Sequence, residues 1–333
     1  MVRVDYEKLD VAFRHRRLVE LAEQSSSTVT AQVYETLLRL IEYQTRRCRD
    51  TPEIPREGEE SDQYSVAIPV QKLANEVDPH LDLPGSIGPV EPAPVSGRKG
   101  KRPLENGMNG GQHGDADGVS SGTNRVYDID QHLSLLAQPP YNLALRRTRD
   151  ALPTWMVEYR HLARHLRHLE LERMVGVRFG TTALKLIRIL LGKGKLDEKR
   201  LQEISLLSMK ELRQTLPGMQ AAGFVDLQEV PKDSQRLASR AVFLWFYDPD
   251  RVCRNVLQDT YKAMSRCLQR LRFERGRLRD FLDKTERTDV KGNEQKYLTE
   301  TELKTLQQWR DKEALLLGEV SRLDDLVAVL RDY

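Results

Sequence analysis

Cysteine, aromatic residues, long apolar runs and a surplus of one charge are all scarce in this chain. Its 333 residues include three cysteines. They are Cys48, Cys253 and Cys267, none in a metal-like spacing, and an odd number argues against a disulfide framework. A reducing, intracellular setting is therefore expected. Aromatic residues make up 6% of the chain, a share that suits helices more than barrels. No stretch approaches the roughly 18 apolar residues of a membrane span, and the opening Val-Arg-Val-Asp-Tyr-Glu-Lys is not an apolar signal region. The 53 basic and 50 acidic residues leave a formal charge of +3. So even a balance places the whole burden of any nucleic-acid contact on local patches.

Catalytic signatures are absent too. The chain holds no P-loop, no G-x-G-x-x-G, no H-E-x-x-H and no G-x-S-x-G. His161, His165 and His168, with Glu172 one turn further, align four potential metal ligands on one helix face. Arg164, Arg167 and Arg173 stand among them, and cations so close oppose a divalent ion. The histidines therefore read as the polar flank of the stripe formed by Leu162, Leu166 and Leu169. No metal and no cofactor is expected, and the chain reads as a non-enzyme.

What is present is mostly helical periodicity. Val11, Leu18, Val19, Leu21 and Ala22 mark one helix, and the serines 25–27 break it. Val33, Leu37, Leu40 and Ile41 mark a second. A polar, acidic stretch over 51–62 leads to a short helix with Val70, Leu73, Ala74 and Val77. Residues 84–125 hold much of the glycine and proline and no apolar period, which predicts a disordered insertion. Within it, the basic run 98–102 matches a short nuclear-import signal and equally a solvated loop. A helix over 127–137 stops at Pro139–Pro140, and 143–157 reads as two strands around a polar bend.

From residue 159 helical spacing resumes. A helix over 182–191 closes on Gly192 and Gly194, and one over 197–207 begins with acidic residues. A third spans 208–222, with Ser208 as N-cap and Glu211 three residues on. Pro217–Gly218 is expected to interrupt that third helix. Strand patterns at 224–230 and 241–247 flank a polar loop. Three helices followed by a two-stranded hairpin is the order of a winged helix. Its candidate phosphate contacts are Lys210 and Arg213 on the third helix and Lys232 and Arg236 in the wing, a set poorly arranged for reading base edges.

The last third carries two heptad series. Leu257, Tyr261, Met264, Leu268 and Leu271 form the first, continuing to Leu278 and Leu282. Leu306, Trp309, Leu316, Val320, Leu323, Val327 and Leu330 form the second. The turn at Gly292–Asn293 between them predicts an antiparallel coiled-coil hairpin within one chain.

Several local sequences also carry a resemblance. Arg178-Phe179-Gly180, the run 227–232, Ser239-Arg240 and Phe243-Leu244-Trp245 resemble the C-terminal part of the third-largest subunit of nuclear RNA polymerase III, of the fungal type. Less specific likeness extends to 34–40, 131–137 and the final hairpin. The resemblance implies four winged helices ending in a coiled coil, of which this chain carries two. It also implies a stable trimer with two smaller polymerase III-specific subunits, docking on the clamp of the largest subunit, and a role in promoter opening.

The expected fold is mainly helical: tandem winged-helix domains, then an antiparallel coiled-coil hairpin. The expected domains are 1–153, including the insertion 84–125, then 154–249 and 250–333. The expected function is that of a non-catalytic polymerase III subunit in the nucleus, touching DNA weakly and without sequence preference. A free-standing winged-helix regulator that dimerises through its coiled coil is the alternative.

Overall fold

A computed structural model describes residues 6–45, 64–86, 120–147, 153–231 and 241–332. The protein is mainly helical and divides into two compact units, Met1–Ala163 and Arg164–Tyr333. Among the described residues no helix is long and apolar enough to cross a membrane.

The first unit opens with helices α1 (Tyr6–Ser25) and α2 (Thr28–Gln44). The break between them is made by Ser27, whose hydroxyl accepts from the Thr30 amide at 3.2 Å and so satisfies a free N–H of α2. Strand β1 (Ile68–Pro69), helices α3 (Val70–Glu76), α4 (Leu83–Ser86) and α5 (Ser120–Leu136), and strands β2 (Leu145–Arg147) and β3 (Thr154–Met156) follow. The sheet order is β1-β3-β2, antiparallel throughout. Leu18, Val33, Leu37, Leu73, Ile129 and Leu133 are buried in this unit. Two polar anchors tie the core to the sheet side. The buried Tyr34 hydroxyl donates to the Leu143 carbonyl at 2.9 Å, and Trp155 Nε1 donates to Asp130 at 3.0 Å.

Two expectations change here. The insertion predicted over 84–125 is shorter at both ends, because α4 reaches Ser86 and α5 already begins at Ser120. The Arg125 guanidinium donates to the carbonyls of Val77, Asp78 and Pro79, which fastens the early part of α5 to the end of α3. Residues 87–119, with the basic run 98–102, lie outside the described residues, as do Cys48 and the stretch 51–62. The boundary at 153/154 is also displaced. Thr154–Met156 is the central strand of the first unit's sheet, paired on both sides, and a cut at 153 would remove it.

Helix α6 (Tyr159–Lys193) crosses the division between the units and breaks its helical geometry at Gly180, where φ is 84°. Glycine tolerates that left-handed value because it lacks a Cβ. In the second unit α7 (Glu198–Ser205) is capped by Asp197, and α8 (Met209–Ala221) by the full Ser208–Glu211 box. The expected interruption of α8 does not occur. Pro217 sits on the exposed side of a continuous helix, while Leu212, Leu216 and Met219 hold the opposite side in the core. The ring removes one donor, yet the buried face fixes the turn. Strands β4 (Asp226–Pro231) and β5 (Ala241–Phe246) pair antiparallel, and Leu196 joins the far edge of β5 through two hydrogen bonds with Trp245, of 3.0 and 2.7 Å. The order of elements is helix, short extended segment, two helices, two strands, with the last strand central; the first unit follows the same order from α2 onward, with the short α4 as an additional helix between α3 and α5.

Helix α9 (Pro249–Arg277) starts on an Asp248 cap with Pro249 in its first turn. After α10 (Arg279–Thr285) and α11 (Glu294–Tyr297), helix α12 (Glu300–Val327) begins on a Thr299–Glu302 capping box and ends in a π-helical turn, Ala328–Asp332. Helices α9 and α12 run antiparallel. Cys253 Sγ lies 3.6 Å from the Leu330 carbonyl near one end, and Lys312 lies 3.9 Å from Glu274 near the other.

The reversal between them is not a Gly292–Asn293 turn. Gly292 does adopt a positive φ of 88°, but the chain turns over the whole of 278–299. That segment builds a small core of its own from Leu282, Val290 and Leu298 against Leu306 and Trp309. Leu282 therefore belongs to α10 and not to a continued α9. Of the predicted seam, Leu306, Trp309, Val327 and Leu330 are buried, while Leu257, Tyr261, Met264, Leu271, Leu316, Val320 and Leu323 are half-buried. Leu268 is 39% exposed. The covered line of α9 takes half-buried Cys267 in place of Leu268, keeps half-buried Leu271 and then takes in buried Glu274 in place of position 275.

Nor is 250–333 separate from the domain before it. Val252, Val256 and Leu330 share one core with Leu186, Leu212 and Trp245.

Candidate nucleic-acid interface

The exposed side of α8 is where a winged helix would meet a groove. Lys210 and Arg213 both stand there, exposed. Their surroundings nearly cancel their charge. Glu211, between them, is committed to the cap: Ser208 donates to its carboxylate from the backbone at 2.9 Å and from the hydroxyl at 2.8 Å. Those hydrogen bonds hold its pKa below the usual carboxylate range. The Arg213 guanidinium rests on Glu198, with contacts of 3.2 and 3.3 Å. Such an exposed pair contributes little to stability, but it must open before Arg213 can take a phosphate. Lys232 and Arg236 lie outside the described residues.

The strands of the wing add one cation that the sequence reading passed over. Lys195, just before the extended residue Leu196, donates to the Gln228 side chain at 2.6 Å and lies 5.4 Å from the centre of the Phe246 ring. Its only sequence signal is the Gly-Lys-Gly-Lys run at 192–195, which also reads as a helix end. Below it, Arg251 bonds Asp226 and covers the other part of Phe246. The Asp226 pKa is lowered by the Leu227 amide first and by Arg251 second.

In the first unit the correspondingly placed helix, α5, is still less suited to phosphates. Arg125 is turned onto the carbonyls after α3, and Asp130 accepts from Trp155 and pairs with Arg146 at 3.1 Å.

The histidine row does not form a ligand set. Glu172 is buried and already held: Arg188 donates to it through Nε and Nη2, at 3.1 and 2.7 Å, and His168 Nε2 lies 3.4 Å away. Among the described residues no group of three or more His, Cys, Asp or Glu side chains is arranged to hold a metal. Two other histidines serve the core of the first unit. His132 bridges Thr30 Oγ1 at 2.8 Å and the Leu83 carbonyl at 3.2 Å. His15 meets the Tyr159 hydroxyl at 3.1 Å. Burial, then Arg14 and Lys8, push the His15 pKa down to about 3. It is therefore neutral at pH 7, and its 4.0 Å approach to Glu42 is not an ion pair there.

Residues 1–166 match the family described as RNA polymerase III subunit RPC82, and residues 171–247 match the POLR3C C-terminal winged-helix domain. The whole chain is 67% identical, over 333 residues, to the DNA-directed RNA polymerase III subunit rpc3 of Neosartorya fischeri. The chain belongs to the RPC82 family. The rpc3 proteins of Aspergillus clavatus and Ajellomyces capsulatus are 65% and 58% identical to it, again across all of the chain. The chain spans about half the length of these curated relatives: 51% of the first and 52% of the other two.

The two matched stretches of this RPC82 chain fall close to its structural units. The gap between them, 167–170, lies just beyond the division at 163/164. The winged-helix match ends at Tyr247, one residue before the cap of α9. Helices α9 to α12 thus follow the recognised winged helix and bury their base in its core.

Proposed function

We propose that the chain is a non-catalytic part of an RNA polymerase III subunit, acting in the nucleus as an interaction scaffold. The identity of 67% across the whole chain to a protein named as that subunit carries this reading. The repeated order of elements supports tandem winged helices, one over 1–163 and one over 164–247. Helices α9 and α12 supply an antiparallel coiled-coil hairpin rooted in the second. In this proposal the partners are two smaller polymerase III-specific subunits and the clamp of the largest subunit, and the step served is promoter opening at initiation. Lys210, Arg213, Lys232 and Arg236 contribute at most a weak, sequence-independent hold on DNA phosphates. The neutral surroundings of α8 and the hairpin closed within one chain both disfavour a free-standing dimeric regulator.

The test is affinity purification of the tagged chain from nuclear extract, read by mass spectrometry. The catalytic and small specific subunits of polymerase III are expected in stoichiometric yield. Their absence, with the tagged chain folded and nuclear, would overturn the proposal.

A further inference from the structure

An antiparallel sheet with one face on a core normally turns polar side chains to the water on its other face. The wing of the second unit does not. Side chains alternate along a strand, and Trp245 of β5 and Leu227 of β4 are the ones that meet the core. Val242, Leu244 and Phe246 therefore stand on the outer face. The register sets Val230 of β4 opposite Val242, Gln228 opposite Leu244 and Asp226 opposite Phe246. None of the four apolar residues of this face belongs to the core or to the side chains packed against it. Val230 is 38% exposed, and the other three are half-buried.

The polar groups beside this patch carry a surplus of positive charge. Arg251 bonds Asp226 and lies over the Phe246 ring, so that pair is internally balanced. Lys195 is exposed and lies 5.4 Å from the centre of the same ring. Among the described residues its hydrogen-bond partner is the neutral Gln228 side chain, at 2.6 Å, which leaves the ammonium charge uncompensated. A strand apolar on both faces has the pattern of one covered on both sides. An apolar patch rimmed by an unanswered cation has the make-up of a protein interface.

We propose that the outer face of the wing docks a segment of a partner polypeptide, which covers Val230, Val242, Leu244 and Phe246 with apolar side chains and sets a carboxylate on Lys195. A phosphate chain satisfies Lys195 but leaves the aliphatic side chains in water, so the chemistry of the face favours protein. Charge complementarity fixes the sign of the occupant: a basic segment would meet Lys195 with a like charge. The proposal rests on the scaffold reading in placing a partner there, and it names the surface that the partner uses.

Photo-crosslinking of the full chain tests the face. Val230 or, separately, Leu244 is replaced by the photoreactive residue p-benzoylphenylalanine, the tagged chain is irradiated in nuclear extract, and the adducts are sequenced by mass spectrometry. Both positions are expected to label the same segment of one other polypeptide, with Asp or Glu beside apolar residues. The same photoreactive residue at exposed Glu203 of α7 should not label that segment. Lys195→Glu should lower the adduct yield about tenfold or more, as expected for the loss of one charge-assisted hydrogen bond, and Lys195→Arg should retain it. Val230, Leu244 and Lys195 lie outside the core, so unchanged melting certifies each fold. No adduct, adducts confined to the chain itself or to nucleic acid, a labelled segment without carboxylates, or a yield indifferent to Lys195→Glu each overturns the proposal. Polymerase III subunits that co-purify without an adduct would sink this face and leave the scaffold reading standing. An adduct of the expected chemistry on a polypeptide from outside polymerase III, with no polymerase subunits captured, would do the reverse.

Discussion

Replacing Leu330 by alanine should loosen a winged helix whose last strand ended more than eighty residues earlier. Leu330 is 1% exposed and packs in the core that also holds Leu186, Leu212 and Trp245. Removing three carbons costs about 2.4 kcal/mol at about 0.8 kcal/mol for each. The residual cavity brings the loss to about 3–5 kcal/mol, because surrounding helices relax only in part. At 1.4 kcal/mol for each factor of ten, that loss lowers amide protection about 100-fold or more wherever opening requires the shared core to break. Hydrogen exchange followed by mass spectrometry resolves where. Peptides from α8 and β5 should lose protection together with those from α9 and the end of α12. If only the hairpin peptides exchange faster, the hairpin is an independent domain and the single-core argument fails.

Three further substitutions probe other parts of the argument. Asp130→Ala leaves Trp155 Nε1 buried without its acceptor, a loss of about 1–3 kcal/mol that urea unfolding should register. Pro217→Ala restores an N–H to an exposed position of an unbroken α8, so it should stabilise the fold by up to about 3 kcal/mol on the helix-propensity scale, read as a higher melting temperature; a fall would show that the ring is required. His15 is held neutral in the folded state, with its pKa pushed from 6.5 down to about 3. The unfolded chain binds that proton first, so this stabilisation is complete above pH 6.5 and is lost as pH falls from there towards 3, about 2 kcal/mol by pH 5. Unfolding at the two pH values should show that loss, and His15→Gln should flatten it.

Local chemistry determined much of this protein before any packing was considered. The break at serines 25–27, the Ser208 cap and the helix it starts, the glycine-closed ends and the strand alternation at 241–247 all depend on neighbours in sequence. They were therefore visible from spacing alone. The family likeness rested on short packing signatures of the same kind. Three features depended on partners distant in the chain. The central place of Thr154–Met156 follows from strands on both sides of it, one of them more than eighty residues earlier. The helical start of α5 depends on Arg125 reaching the end of α3, across the insertion. The hairpin seam departs from a strict heptad because its base must also serve the winged-helix core and its tip must close a core of its own, which moved Leu268 outward and drew Glu274 inward. A periodic pattern specifies which face of a helix is apolar, but not which of two competing cores will claim it. That choice was made by tertiary packing.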